Sequence, residues 1–199
     1  MEFNLPEGIK GLIFDLDGTL ADTMPYHMQA WKDACESFGM EMSSDFLRTF
    51  TGSPGINIAK AIIKKYGKED AINPDQIADR KKENFANIQH RVSEVKPVAD
   101  IVRNYHGKIP MSVGTGGHSV TVERTLEVIG MKDYFEIIVT ADNVSSHKPD
   151  PETFLKCAEL MKVDPESILV FEDGDLGIEA AARAGMKSVD VRSWYDYSW

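Results

Sequence analysis

Apolar residues recur with two different periods along the C-terminal half of the chain. Stretches such as VADIVRNYH (98–106) place apolar side chains at helical spacing, and short apolar runs typical of buried strands separate these stretches. The predicted strands are GLIF (11–14), KIPMSVGT (108–115), FEIIVTAD (135–142), SILVFED (167–173) and KSVDVR (187–192). Because strand and helix alternate, the pattern predicts an α/β fold with a parallel sheet and helices on both of its faces.

Residues 22–93 interrupt this alternation with helical patterns alone. The segment PYHMQAWKDACESFG (25–39) has an apolar face at helical spacing, and three further helical stretches follow it before the alternation begins. We therefore predict two domains: an α/β core of residues 1–21 and 94–199, and an inserted all-helical cap of residues 22–93. Since the insertion follows the first strand, we expect the cap over the edge of the sheet where that strand ends.

Polar side chains follow four of the predicted strands. In chain order these are Asp15 and Asp17, then Thr115, then Lys148, and finally Glu172 with Asp173. Ligands bind at the carboxyl ends of the strands in open parallel sheets. Four polar strand ends on one edge therefore predict a single functional site.

The charges at this edge indicate the chemistry. Up to four carboxylates would repel one another without a cation, and hard oxygen ligands of this kind suit Mg²⁺. Lys148 and Thr115 supply a positive charge and a hydroxyl donor for a phosphate, and glycines such as Gly116 allow backbone N–H groups to approach it. With a phosphate in place, Asp15 can act as a nucleophile and Asp17 as the general acid and base.

The overall composition narrows the range of partners. A net charge of −10 argues against a general binder of nucleic acid or of anionic membranes. No stretch approaches the about 20 apolar residues of a membrane span, and the N-terminus lacks a signal-peptide pattern, so we expect a cytoplasmic protein. The two cysteines, Cys35 and Cys157, are expected as buried thiols. The oligomeric state is not fixed by the sequence, and a monomer is compatible with it.

Four motifs together carry a family resemblance. FDLDGT, VGTGG, HKPDP and FEDGDLGIEAA, in this order, resemble the haloacid dehalogenase superfamily of phosphotransferases, in the branch with a helical cap after the first motif. The resemblance covers essentially the whole chain and implies a Rossmann-like core and a Mg²⁺ cofactor. It implies these roles: Asp15 as nucleophile, Asp17 as acid and base, Thr115 and Lys148 at the phosphate, and Asp173 at the metal with Glu172 beside it and the Asp17 carbonyl oxygen as a further ligand. With Asp15 and Glu172 from the carboxylate cluster, the predicted metal residues are Asp15, Asp17, Glu172 and Asp173, and Gly116 completes the predicted phosphate site.

Several stretches are most similar to bacterial sugar-phosphate phosphatases of the fructose 1-phosphate type, which are close relatives of β-phosphoglucomutase. The mutases hold a second phosphate with an arginine in a short cap loop, and Gly55 stands at that position here. Hydrolysis of a small sugar phosphate is therefore the leading hypothesis, and His27, Lys81 and the loop 51–55 are the cap residues expected to face the substrate.

Two alternatives stay open at this stage. One is a β-phosphoglucomutase-type phosphomutase, in which Lys81 and Lys82 would partly replace the missing arginine. The other is a non-catalytic receiver-like signalling domain, which also surrounds an aspartate with acidic residues and a lysine on a parallel sheet. The helical insertion and Asp17 argue against the receiver, since a receiver needs no acid to expel a sugar.

Overall fold

The computed structural model describes residues 3–50 and 55–196 of the chain. The chain divides into two compact units. The larger unit combines Met1–Thr23 with Val92–Trp199, and the smaller unit is Met24–Arg91.

A parallel sheet forms the centre of the larger unit. Among the described residues its five strands are β1 (Gly11–Phe14), β2 (Met111–Gly114), β3 (Ile137–Val139), β4 (Ile168–Glu172) and β5 (Lys187–Asp190). They are hydrogen-bonded in the order β3-β2-β1-β4-β5, and every pairing is parallel. The α/β fold class predicted from the alternating pattern is confirmed.

Helices account for most of the remaining regular structure. In the described part of the smaller unit they are α1 (Met24–Ser37), α2 (Ser44–Arg48), α3 (Gly55–Lys65) and α4 (Pro74–Ile88). In the described part of the larger unit they are α5 (Lys96–Tyr105), α6 (Ser119–Val128), α7 (Glu152–Met161) and α8 (Asp175–Arg183). A short 3₁₀ turn, Ala141–Asn143, follows β3.

The two central strands set the position of the polar residues that follow them. All four residues of β1 and all five of β4 are buried, as expected for strands covered on both faces. Phe14 pairs with Phe171 in register, and their rings stack with centroids 4.8 Å apart. Because this pair ends the apolar part of each strand, the next residues, Asp15 and Glu172, lie side by side at the carboxyl ends of the two strands.

Helix capping and apolar packing stabilise the helices of the smaller unit. Helix α4 begins with a capping box, in which Asn73 and Gln76 satisfy each other's backbone N–H groups, and Pro74 occupies its first turn. Its buried residues, Ile77, Ala78 and Phe85, recur at helical spacing. Helix α4 packs mainly against α1 and α3.

The aromatic tail of the chain packs onto the larger unit as far as it is described. The ring of Trp194 lies 5.7 Å from Phe3 and 6.1 Å from Phe171, measured between centroids. The Tyr195 hydroxyl donates a hydrogen bond of 3.0 Å to the buried carboxyl group of Asp22. The tail therefore packs against the core at Phe171 of β4.

Two further expectations concern the chain as a whole. Cys35 and Cys157 are both buried and form no disulfide, as expected for core thiols. Among the described residues, no helix is long and apolar enough to span a membrane.

Candidate active site

A buried lysine joins two carboxylates at the ends of the central strands. The Lys148 Nζ atom lies 2.6 Å from Asp15 Oδ1 and 2.7 Å from Glu172 Oε1. The three side chains are between 4% and 12% exposed. Because little water reaches them to screen their charges, the ammonium group offsets the negative charge of the two carboxylates. The lysine also lies over the Phe154 ring of α7, 4.6 Å from its centroid.

Lys148 reaches this position from a long loop rather than from the end of its strand. The loop runs from the 3₁₀ turn after β3 towards α7. The carboxylate of Glu152 accepts hydrogen bonds from the backbone N–H groups of Ser145 and Ser146, at 3.0 and 2.7 Å. Glu152 therefore fixes the backbone that presents the lysine, a role that is not predicted from the sequence.

The turn after Asp15 determines the position of a third carboxylate, that of Asp173. Gly18 has φ of +86°, and a Cβ atom there would lie 2.2 Å from Asp173 Oδ2. The Thr19 hydroxyl donates to Asp173 Oδ1 at 3.0 Å. The glycine and threonine of the DGT triplet thus accommodate and orient Asp173, a contact between residues far apart in the sequence.

Glu172 is seated against a glycine of α8. Its Oε2 atom accepts the Gly174 N–H at 2.7 Å, while its Oε1 atom faces Lys148. A Cβ atom at Gly177 would lie only 1.7 Å from Glu172 Oε1. Glycine at position 177 is therefore required for the observed Glu172 conformation.

The loop after β2 provides hydroxyl and backbone donors. The buried Thr115 hydroxyl accepts the Gly117 N–H at 3.1 Å, so it still carries its own hydrogen to donate. A Cβ atom at Gly117 would lie 3.6 Å from Asp17 Oδ2, which places the Asp17 carboxyl group beside this loop. Gly116 is exposed, and a Cβ atom there would meet no neighbouring atom within 4 Å, so a ligand can approach this part of the loop.

The clustered charges change the proton affinities of the site. Burial raises the pKa of Asp15 well above its usual value; nearby Lys148 opposes this shift, and the charges of Glu172 and Asp173 add to it. Burial and the charge of Glu172 raise the pKa of Asp173 to about 7. Burial alone would lower the pKa of Lys148, but the charges of Asp15 and Glu172 outweigh it and raise that pKa, so the lysine stays an ammonium.

Three of the predicted acidic residues form a group that fits a divalent cation. Asp15, Glu172 and Asp173 each contribute a carboxylate oxygen, and these oxygens lie within 4.8 Å of one another. Oxygen donors with excess negative charge are what Mg²⁺ requires. The Asp17 carboxyl group lies instead beside Gly117, so a role for Asp17 at the metal through its carbonyl oxygen stays a prediction.

The two predicted cap residues lie together within the smaller unit. The Lys81 Nζ atom is 2.8 Å from His27 Nδ1, and the His27 ring stacks on Phe85 with centroids 4.0 Å apart. An ammonium group can only donate, so His27 Nδ1 accepts and the ring carries its hydrogen on Nε2. In the loop expected to face the substrate, residues 51–54 lie outside the described part, and Gly55 begins α3.

Comparison with known proteins agrees with this fold and shows the family. The family model described as haloacid dehalogenase-like hydrolase matches residues 12–191. Because the match includes both the sheet and the polar residues at its edge, the chain belongs to this family of enzymes.

The similar proteins include sugar-phosphate phosphatases. The chain is 42% identical over 186 residues to fructose-1-phosphate phosphatase YqaB of Escherichia coli, covering 94% of this chain and 98% of that protein. It is 29% identical to the phosphorylated carbohydrates phosphatase of Thermotoga maritima, covering 91% of this chain and 84% of that protein.

A solved structure supports the fold. The crystal structure of β-phosphoglucomutase from Clostridium difficile superposes with a TM-score of 0.80, covering 92% of this chain and 84% of that chain at 24% identity. At this level of identity the likeness concerns the fold.

Replacing Gly177 by alanine tests the packing of Glu172. The added methyl group has to displace an anchored carboxylate, so we expect Gly177→Ala to lower the unfolding free energy by about 1–3 kcal/mol and to weaken Mg²⁺ binding at least about tenfold. Urea unfolding and isothermal titration calorimetry measure the two effects. Gly174→Ala is the control, because a Cβ atom there would lie 3.4 Å from Glu172; equal losses in both variants would contradict the account.

Proton release on metal binding tests the raised pKa values. With a pKa of about 7, the Asp173 carboxyl group is mostly protonated at about pH 6, and a metal ion must displace that proton. We expect Mg²⁺ affinity to rise with pH through about 7 as Asp173 ionises, and to level off only where Asp15, whose pKa burial also raises, is ionised as well. Calorimetry at about pH 6, in two buffers of different ionisation enthalpy, detects the released proton. Identical heats in the two buffers would show that no group titrates on binding.

Proposed function

We propose that the protein is a Mg²⁺-dependent phosphatase that hydrolyses a small sugar phosphate, of the fructose 1-phosphate type, through an aspartyl-phosphate intermediate. The observation that carries the proposal is the buried lysine between Asp15 and Glu172, with Thr115 and Asp173 at the same sheet edge. The similarity to an Escherichia coli fructose-1-phosphate phosphatase over almost the whole chain supports the substrate class.

Phosphate binding is assigned to groups from two loops. Lys148 supplies a fixed positive charge next to the Asp15 carboxylate. The Thr115 hydroxyl and the backbone N–H groups around Gly116 supply hydrogen-bond donors for the phosphate oxygens. Asp15, Glu172 and Asp173 would hold Mg²⁺, whose charge, when bound, offsets the repulsion between an anionic nucleophile and a phosphate dianion.

The reaction follows from the two aspartates. An Asp15 carboxylate oxygen attacks phosphorus, the bond from phosphorus to the sugar oxygen breaks, and Asp17 gives its proton to the leaving alkoxide. Water then attacks the aspartyl phosphate while Asp17 takes a proton from it. Inorganic phosphate leaves, and both aspartates return to their starting states.

Selection of the sugar is assigned to the smaller unit, as an inserted cap. There, Lys81 lies 2.8 Å from His27, and its ammonium is 5.1 and 5.7 Å from the ring centroids of Phe85 and Trp31. The two rings are buried and pack against the lysine and histidine side chains, whose polar groups can hydrogen-bond the hydroxyl groups of a sugar. The buried free thiols of Cys35 and Cys157 fit the further proposal of a reducing, cytoplasmic location.

A substrate panel tests the proposed activity. We expect Mg²⁺-dependent release of inorganic phosphate from fructose 1-phosphate, and less from glucose 6-phosphate, with loss of activity on adding EDTA. Asp15→Asn, which removes the nucleophile, should lower turnover at least about a thousandfold, whereas the surface control Asp164→Asn should retain it. Substantial turnover by Asp15→Asn would contradict the mechanism.

The same panel separates hydrolysis from isomerisation. β-Glucose 1-phosphate is assayed with and without glucose 1,6-bisphosphate. Glucose 6-phosphate formed only with the bisphosphate, and without release of phosphate, would overturn the proposal in favour of a mutase.

A further inference from the structure

A second set of hydrogen bonds, outside the carboxylate cluster, holds the loop between β2 and α6. At the start of this loop, the Thr115 N–H donates to Val139 at the end of β3, at 2.9 Å. Further along, the Gly117 carbonyl accepts the N–H of Ala141 at 2.9 Å. The loop that carries the Thr115 hydroxyl is thus placed against the turn that follows β3.

The side chain of Asp142 fixes the far end of this loop. Its Oδ1 atom lies 2.7 Å from His118 Nδ1, and its Oδ2 atom accepts the Ser119 N–H at 2.8 Å. One carboxylate therefore binds both residues at the point where the loop enters α6. The hydrogen bond from His118 and those from Ser119 hold the pKa of Asp142 well below its usual value, so it remains a carboxylate.

The turn that carries Asp142 is itself braced. The Thr140 hydroxyl accepts the Asp142 N–H at 3.3 Å, and Asn143 Oδ1 accepts the Thr140 N–H at 2.9 Å. The Lys156 ammonium on α7 donates to the Asn143 carbonyl at 2.9 Å. A carboxylate on a braced turn can set the position of its partners, rather than follow them.

We propose that Asp142 is a positioning residue for phosphate binding, because it anchors the loop that presents Thr115, Gly116 and Gly117. It acts through the loop: its two carboxylate oxygens are directed to His118 and Ser119. This inference rests on the proposed phosphatase function, in which Thr115 contacts the phosphate.

Kinetics with a phosphate probe tests the proposal. We expect Asp142→Ala to raise the inhibition constant of inorganic phosphate and the KM for fructose 1-phosphate about tenfold, since loosened donors bind phosphate less well. The Mg²⁺ concentration for half-maximal activity should change less than about twofold, because the metal ligands lie on other elements.

Two variants separate positioning from general stability. Asp164→Ala is the matched control: Asp164 also accepts a backbone N–H, that of Glu166 at 3.2 Å, but lies in the turn before β4. Asp142→Asn keeps an acceptor for the Ser119 N–H and an amide that can donate to His118, so it should restore phosphate inhibition to within about threefold of the native value.

Each result of these measurements either supports or overturns the positioning role of Asp142. Unchanged phosphate inhibition in Asp142→Ala, or equal increases in Asp142→Ala and Asp164→Ala, would overturn the proposal. If Asp142→Ala does not fold, Asp142→Asn is compared with Asp142→Gln, in which the amide group is displaced by one methylene. We expect only the glutamine variant to lose phosphate inhibition. Equal phosphate inhibition of the two variants would refute the positioning role. A native protein with neither turnover nor phosphate inhibition would instead refute the proposed function.

Discussion

The contact of one buried ammonium with two carboxylates is the interaction on which the rest of the site depends. Strands β1 and β4 pair in register through Phe14 and Phe171, so Asp15 and Glu172 emerge together from an apolar core. Two buried carboxylates at this place would be costly without a cation. Lys148 supplies that cation, which is why a long loop is directed back to the edge of the sheet.

Close packing around this contact explains why the motifs contain glycines. Gly18 leaves room for Asp173, and Gly177 leaves room for Glu172; a Cβ atom at either position would overlap a carboxylate oxygen. Each acidic side chain is then oriented by a specific donor, Thr19 in one case and Gly174 in the other. The acidic cluster is consequently preorganised without a ligand, and its excess negative charge favours the binding of a metal ion.

The sequence allowed prediction of the features that depend on periodicity and chain order. Alternating helix and strand patterns indicated the parallel sheet, and the strand ends indicated that Asp15, Lys148 and Glu172 would meet. The pattern does not show contacts between distant loops, so neither the anchoring role of Asp142 nor the fit of Glu172 against Gly177 was predicted. Such contacts depend on the three-dimensional packing of loops that have no periodic signal.

Trapping of the covalent intermediate shows directly whether Asp15 is the nucleophile. The protein is quenched with acid during turnover of fructose 1-phosphate, reduced with borohydride, and digested for peptide mass spectrometry. We expect Asp15 to be recovered in part as homoserine, the product of reducing an aspartyl phosphate, and only in samples that contained substrate and Mg²⁺. Phosphate release with Asp15 unmodified, or with the modification at another carboxylate, would contradict this expectation.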